Sequence, residues 1–276
     1  MKNRIRLLGL FLALAILVTG FYPALAIPAE PQQVKIPIGG GQELPGTFFA
    51  PSAAKPTAAV LVLHTRGGMR KADVDYGAAL AEAGFVSLAV SYYPSPRYDP
   101  NDLHHPGYVE ELLRAVDWLQ SRPEAKGQPV GVVGFSLGSK GVMLSAHHSG
   151  IKAVVSYYGV FNLRILPRAM GRKSYPIMPV DVAAEVRAPV LLLHGTEDDE
   201  TPLDQAESMR DALVKAGKTV ELVIYPGATH SFDRGHPAGG CGTTDRGFYY
   251  CLDPRARDDA WTRTLSWFRK YLTSAP

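Results

Sequence analysis

Cysteine is almost absent from this 276-residue chain, which has only Cys241 and Cys251. Two thiols cannot by themselves build a zinc ribbon or an iron–sulfur ligand set. His104-His105 and His147-His148 have no nearby Cys, Asp or Glu at ligand spacing, so a metal centre is not expected. An excess of one charge is also missing. Lys2, Arg4 and Arg6 are three of the 29 bases, set against 26 acids, so the chain after its first residues is formally neutral. That balance argues against a nucleic-acid or membrane-surface partner. Beyond the amino-terminal segment no apolar run approaches the roughly 20 residues of a membrane helix. Repeats, low-complexity tracts and dividing linkers are lacking too, so residues 27–276 read as one domain, long enough to bury a large core.

The first 26 residues carry the pattern of a secretory signal. A positive start precedes the apolar run Leu7 to Val18, and Ala24-Leu25-Ala26 supplies small residues before Ile27. An uncleaved anchor is the competing reading, but Gly20 and Pro23 interrupt the helix early. No cysteine follows the cleavage point and no Arg-Arg pair precedes the run, which disfavours a lipoprotein and twin-arginine export. Export, periplasmic or extracellular, is therefore expected. In such a compartment Cys241 and Cys251 read as a disulfide.

Short β-rich apolar runs alternate with helical patterns, the signature of an α/β fold with a mostly parallel sheet covered on both faces. Val34–Ile38 and Gly46–Ala50 form an expected hairpin through Gly39-Gly40-Gly41. Strands are expected over Ala58–His64, Phe85–Tyr92, Pro129–Phe135, Lys152–Tyr158, Pro189–His194 and Thr219–Tyr225. Helices are expected over Val74–Ala83, Val109–Gln120, Leu137–His147, Leu203–Ala216 and Asp258–Leu272. Val160 to Val186 is irregular and rich in proline, as in a rim or lid.

Gly134-Phe135-Ser136-Leu137-Gly138 is a G-x-S-x-G where a strand turns into a helix. The glycines permit the tight turn that lifts a nucleophilic serine above the sheet. Serine needs a base, and in the α/β-hydrolase fold the order is Ser, acid, His. His230 lies in Tyr225-Pro226-Gly227-Ala228-Thr229-His230-Ser231-Phe232, directly after the last strand. The loop His194-Gly195-Thr196-Glu197-Asp198-Asp199-Glu200-Thr201-Pro202 offers the acid; Asp198 is preferred and Asp199 is next. The oxyanion hole would use the backbone N–H of Leu137 and that of Arg66 in His64-Thr65-Arg66-Gly67-Gly68. Arg97 could receive a substrate carboxylate, and Tyr158 could line the pocket.

Together these motifs resemble the dienelactone hydrolase family from about Val60 to the last helix. The resemblance implies an α/β-hydrolase fold, metal- and cofactor-free hydrolysis of esters or lactones, and a Ser136, Asp198, His230 triad. Two positions depart from the namesake enzymes: Ser136 stands where they use Cys, and Thr65 where they carry Glu. A general or polymer-derived carboxylic ester is thus as natural a substrate as a dienelactone. A prolyl-oligopeptidase-type peptidase and an inactive binding module of the same fold are the alternatives. No motif in the chain specifies an oligomeric state.

Overall fold

The computed structural model describes residues 30–51, 57–99, 105–165 and 177–273. The expected signal segment, His104, and Pro167 and Pro176 of the expected rim lie outside them.

Eight strands form one sheet in the order β1-β2-β4-β3-β5-β6-β7-β8. They are β1 Gln32–Gly39, β2 Gln42–Phe49, β3 Ala59–Leu63, β4 Val86–Val90, β5 Val130–Phe135, β6 Ile151–Tyr157, β7 Val190–Gly195 and β8 Val220–Tyr225. β1 and β2 pair antiparallel, as does β2 with β4. Every pair from β4 through β3 to β8 is parallel. This is the α/β-hydrolase arrangement expected from the sequence. Parallel strands have both faces covered, which explains their unbroken apolar runs. Within β3, Leu61 and Leu63 pack on one face while Val60 and Val62 pack on the other.

Among the described residues, five α-helices supply that cover: α1 Lys71–Glu82, α2 Pro106–Ser121, α3 Gly141–His147, α4 Asp204–Lys215 and α5 Pro254–Leu272. Tyr108, Leu112 and Val116 of α2 and Met209 of α4 join the first core cluster. Leu80 of α1 and Trp267 and Phe268 of α5 join the second. Among the described residues no helix is long and apolar enough to cross a membrane.

Three helices, α1, α2 and α5, start earlier than apolar periodicity suggested, and capping explains it. Asp253 accepts from the N–H groups of Arg255 and Ala256 at 3.0 Å each, with Pro254 next, so α5 begins four residues before Asp258. His105 Nδ1 accepts from Gly107 N at 3.0 Å and sets the start of α2 at Pro106. The Asp73 carboxylate takes the Arg70 N–H at 2.8 Å and starts α1 at Lys71. The helix expected over Leu137–His147 is a 3-10 turn, Ser136–Lys140, followed by α3. A small hairpin, β9 Cys241–Thr243 with β10 Tyr249–Cys251, was not foreseen. The expected disulfide Cys241–Cys251 closes it.

Candidate active site

β5 ends at Phe135, and Ser136 turns the chain with φ of +52°. A non-glycine residue rarely adopts this left-handed conformation, and its strain is the mark of a nucleophile elbow. The neighbouring glycines have no room for a side chain. A Cβ on Gly134 would lie 1.9 Å from the Gly138 carbonyl oxygen, and one on Gly138 would lie 2.4 Å from that of Leu63. The elbow is thereby seated on the end of β3. Leu137 follows Ser136 in the first turn of the 3-10 helix, where backbone N–H groups have no acceptor within the helix.

The loop after β3 is the second expected source of oxyanion donors. The Gly67 N–H turns back to Thr65 Oγ1 at 3.1 Å and the Gly68 N–H to the Thr65 carbonyl at 3.2 Å, which leaves Arg66 at the tip. His64 anchors the loop. Its Nδ1 donates to the Thr65 carbonyl at 2.6 Å, and its Nε2 accepts the Tyr92 N–H at 3.3 Å. Burial pushes the His64 pKa down, and the neutral imidazole suits this one-donor, one-acceptor arrangement.

The acid loop follows β7 and the histidine loop follows β8, both at carboxyl ends of strands. His230 Nδ1 lies 2.8 Å from Asp198 Oδ2, with both residues buried. Asp198 Oδ1 accepts from the N–H groups of Thr201 at 2.7 Å and Glu200 at 3.1 Å. The Thr201 hydroxyl stands 2.9 Å from Asp198 Oδ2 and 3.1 Å from the Tyr158 carbonyl. Asp199 is exposed and accepts from Tyr249 N at 3.1 Å. The structure therefore brings Asp198, and not Asp199, to the imidazole.

Burial opposes a charge on Asp198, but His230, together with hydrogen bonds from His194 and His230, outweighs it and holds the carboxyl well below the usual range. Burial likewise opposes charging His230, yet Asp198 and Glu200 raise its pKa above the usual histidine value. His194 braces the loop from below, its Nε2 donating to the Thr201 carbonyl at 2.6 Å. Gly195 is essential to the approach of the two loops, since a Cβ there would lie 2.0 Å from the Ala228 carbonyl oxygen.

Tyr158 and Arg97 are placed differently from the expectation of substrate contact. The Tyr158 hydroxyl donates to Asp233 at 2.7 Å, while its ring packs edge-on to His230 with centroids 4.6 Å apart. It holds the imidazole plane. Arg97 makes a two-pronged pair with buried Glu111, through Nε at 2.6 Å and NH2 at 2.8 Å. Its fork ties the β4–α2 connection to α2, so Arg97 is corrected to a structural residue. The histidine pairs also find structural partners: His147 contacts the Met143 carbonyl at 2.8 Å and His148 contacts Asp117 at 2.9 Å. Among the described residues no group of three His, Cys, Asp or Glu could hold a metal ion.

Sequence reading missed a second layer around the site. Arg234 bonds Asp73 at 2.7 Å and Asp233 at 3.1 Å, and its guanidinium lies 4.0 Å from the centroid of Phe135, the residue before Ser136. It ties the histidine loop to α1. The β9–β10 hairpin adds Arg246 and Tyr250, both bonded to Glu200. No local motif announces these contacts, because apart from the adjacent Asp233 the partners lie 46 or more positions away.

Comparison with known proteins decides the family. The dienelactone hydrolase family profile matches residues 44–272. The chain belongs to the dienelactone hydrolase family. A protein of Methylorubrum extorquens whose assigned name is carboxymethylenebutenolidase is 29% identical over 256 residues, covering 87% of this chain and 80% of its own. The crystal structure of a Klebsiella pneumoniae protein assigned as a dienelactone hydrolase superposes with a TM-score of 0.71 at 27% identity, covering 88% of this chain and 99% of that one. The Pyrococcus horikoshii acylaminoacyl peptidase shares the fold with a TM-score of 0.69 at 19% identity, over 91% of this chain but 43% of its own. The protein is thus an enzyme of the ester- and lactone-hydrolysing kind, acting on small molecules.

Proposed function

We propose that this dienelactone hydrolase family member is an exported serine esterase or lactonase that works through an acyl-enzyme on Ser136. One observation carries the reading: an ionised, buried Asp198 lies 2.8 Å from His230 Nδ1, which leaves Nε2 as the nitrogen that serves the nucleophile. Ser136 Oγ attacks the carbonyl carbon while His230 Nε2 takes its proton. The N–H groups of Leu137 and Arg66 receive the oxyanion. The C–O bond to the leaving alcohol breaks as His230 returns the proton to that oxygen; in a lactone the alcohol stays tethered. Water, deprotonated by the same nitrogen, then releases the acid and restores Ser136. Asp198 stays ionised throughout and stabilises the imidazolium.

A fluorophosphonate probe should label the wild type at Ser136, and Ser136→Ala should abolish labelling and hydrolysis of p-nitrophenyl acetate. Hydrolysis that survives the substitution would refute the assignment. An ester and lactone panel with an aminoacyl arm separates this reading from a peptidase. Export is supported by the leader pattern of residues 1–26 and by the Cys241–Cys251 disulfide. Amino-terminal sequencing of protein from the exported fraction should begin at Ile27.

A further inference from the structure

Glu200 takes no part in the triad, yet it is the second carboxylate on the imidazole. Its Oε2 stands 4.0 Å from His230 Nε2, the nitrogen opposite the one held by Asp198. That separation is too long for a hydrogen bond and short enough for a strong charge effect. The Glu200 side chain is buried, and both of its oxygens are occupied: Oε1 by the Arg246 guanidinium and Oε2 by the Tyr250 hydroxyl. Both partners come from the segment closed by Cys241–Cys251, outside the main sheet. That segment is fastened to the histidine loop, where the Cys251 N–H donates to Thr229 Oγ1 at 2.8 Å and Tyr250 bridges His230 through the backbone. The Tyr250 ring lies 5.2 Å from the His230 ring, centroid to centroid.

We propose that Glu200 is a positioning residue of the reaction, an anion that stabilises the His230 imidazolium from the Nε2 side, and that Arg246 of the disulfide-closed hairpin sets how much of that charge the imidazole feels. The proposal rests on His230 being the general base. Other groups also face the imidazole. Asp198 and Thr201 approach from the acid loop, Tyr158 from the end of β6 and Tyr250 from the hairpin. Asp233 is paired with Arg234 and accepts from the Tyr158 hydroxyl, Asp199 faces the Tyr249 N–H, and His194 lies against Asp198. Glu200 and Arg246 are therefore opposite charges on one side of the ring. Removing each should move the imidazole in opposite directions, an outcome that a merely structural role would not produce.

The test is the acid limb of kcat/KM against pH for wild type, Glu200→Gln, Arg246→Gln and Arg246→Lys, with the His230 ring titration followed by NMR in a Ser136→Ala background. Glu200→Gln should move both midpoints down by about one pH unit, and Arg246→Gln should move them up by about half a unit. Arg246→Lys should keep the wild-type midpoint. Unmoved midpoints in Glu200→Gln and Arg246→Gln, or shifts of the same sign, would overturn the proposal and reduce Glu200 to an anchor for the hairpin. If the fluorophosphonate fails to label the wild type while the ring titration still shifts in opposite directions, the reading of the reaction has failed and the charge coupling stands.

Discussion

Two regions meet at His230, and they are built on different principles. The loops that carry Ser136, Asp198 and His230 each leave the carboxyl end of a parallel strand, where the sheet fixes their starting points to its own register. The hairpin Cys241–Cys251 has two three-residue strands, closed by a disulfide and fastened by hydrogen bonds to Thr229 and Asp199, a backbone bridge to His230 and the side-chain bonds to Glu200. The first region is anchored on strands buried in the core. The second is held by a few local bonds. Chemistry is therefore assigned to the rigid region, and adjustment of the histidine's charge to the adjustable one.

The comparison can be broken most severely at Ser136. Ser136→Ala should cut turnover of a small ester by about 10⁶-fold with little change in stability, measured by steady-state kinetics and thermal unfolding. Asp198→Asn should cost about 10⁴-fold, because the amide favours the wrong imidazole tautomer, while Asp199→Asn should leave kcat within about threefold. Equal losses for the two would remove the distinction drawn from the 2.8 Å contact.

Arg234→Ala tests the bracing of the rigid region. It would leave the carboxylates of Asp73 and Asp233 without their guanidinium, and should lower unfolding stability by about 3–5 kcal/mol in a denaturant titration. The double substitution Cys241→Ala, Cys251→Ala tests the hairpin and should cost about 2–3 kcal/mol, less than Arg234.

The pH dependence sharpens the same contrast. His230 is raised above its usual value, so the acid limb of kcat/KM should centre above about pH 6.5, since the base acts only when neutral. For stability the signs oppose. The depressed Asp198 contributes above its unfolded pKa, and that contribution is lost as pH falls through its folded value. The raised His230 contributes below its unfolded pKa, and that contribution is lost as pH rises through its folded value.

The alternation of strands and helices, the glycine-flanked elbow, the order of Ser136, the acid loop and His230, and the pairing of two lone cysteines were all legible in the amino-acid sequence. These signals are local: a period, a turn composition or a spacing carries each one. The sequence narrowed the acid to a loop with several carboxylates but could only prefer Asp198. It did not place the helix starts, because capping by Asp253 and His105 depends on side-chain hydrogen bonds that apolar periodicity does not register. The tertiary structure alone decided that Arg97 belongs to Glu111, that Tyr158 holds a ring rather than a substrate, and that Glu200 faces His230 under Arg246 and Tyr250. Each of those outcomes depends on which of several chemically similar partners the folded chain brings within a few ångströms, and a short-range pattern in sequence does not carry that information.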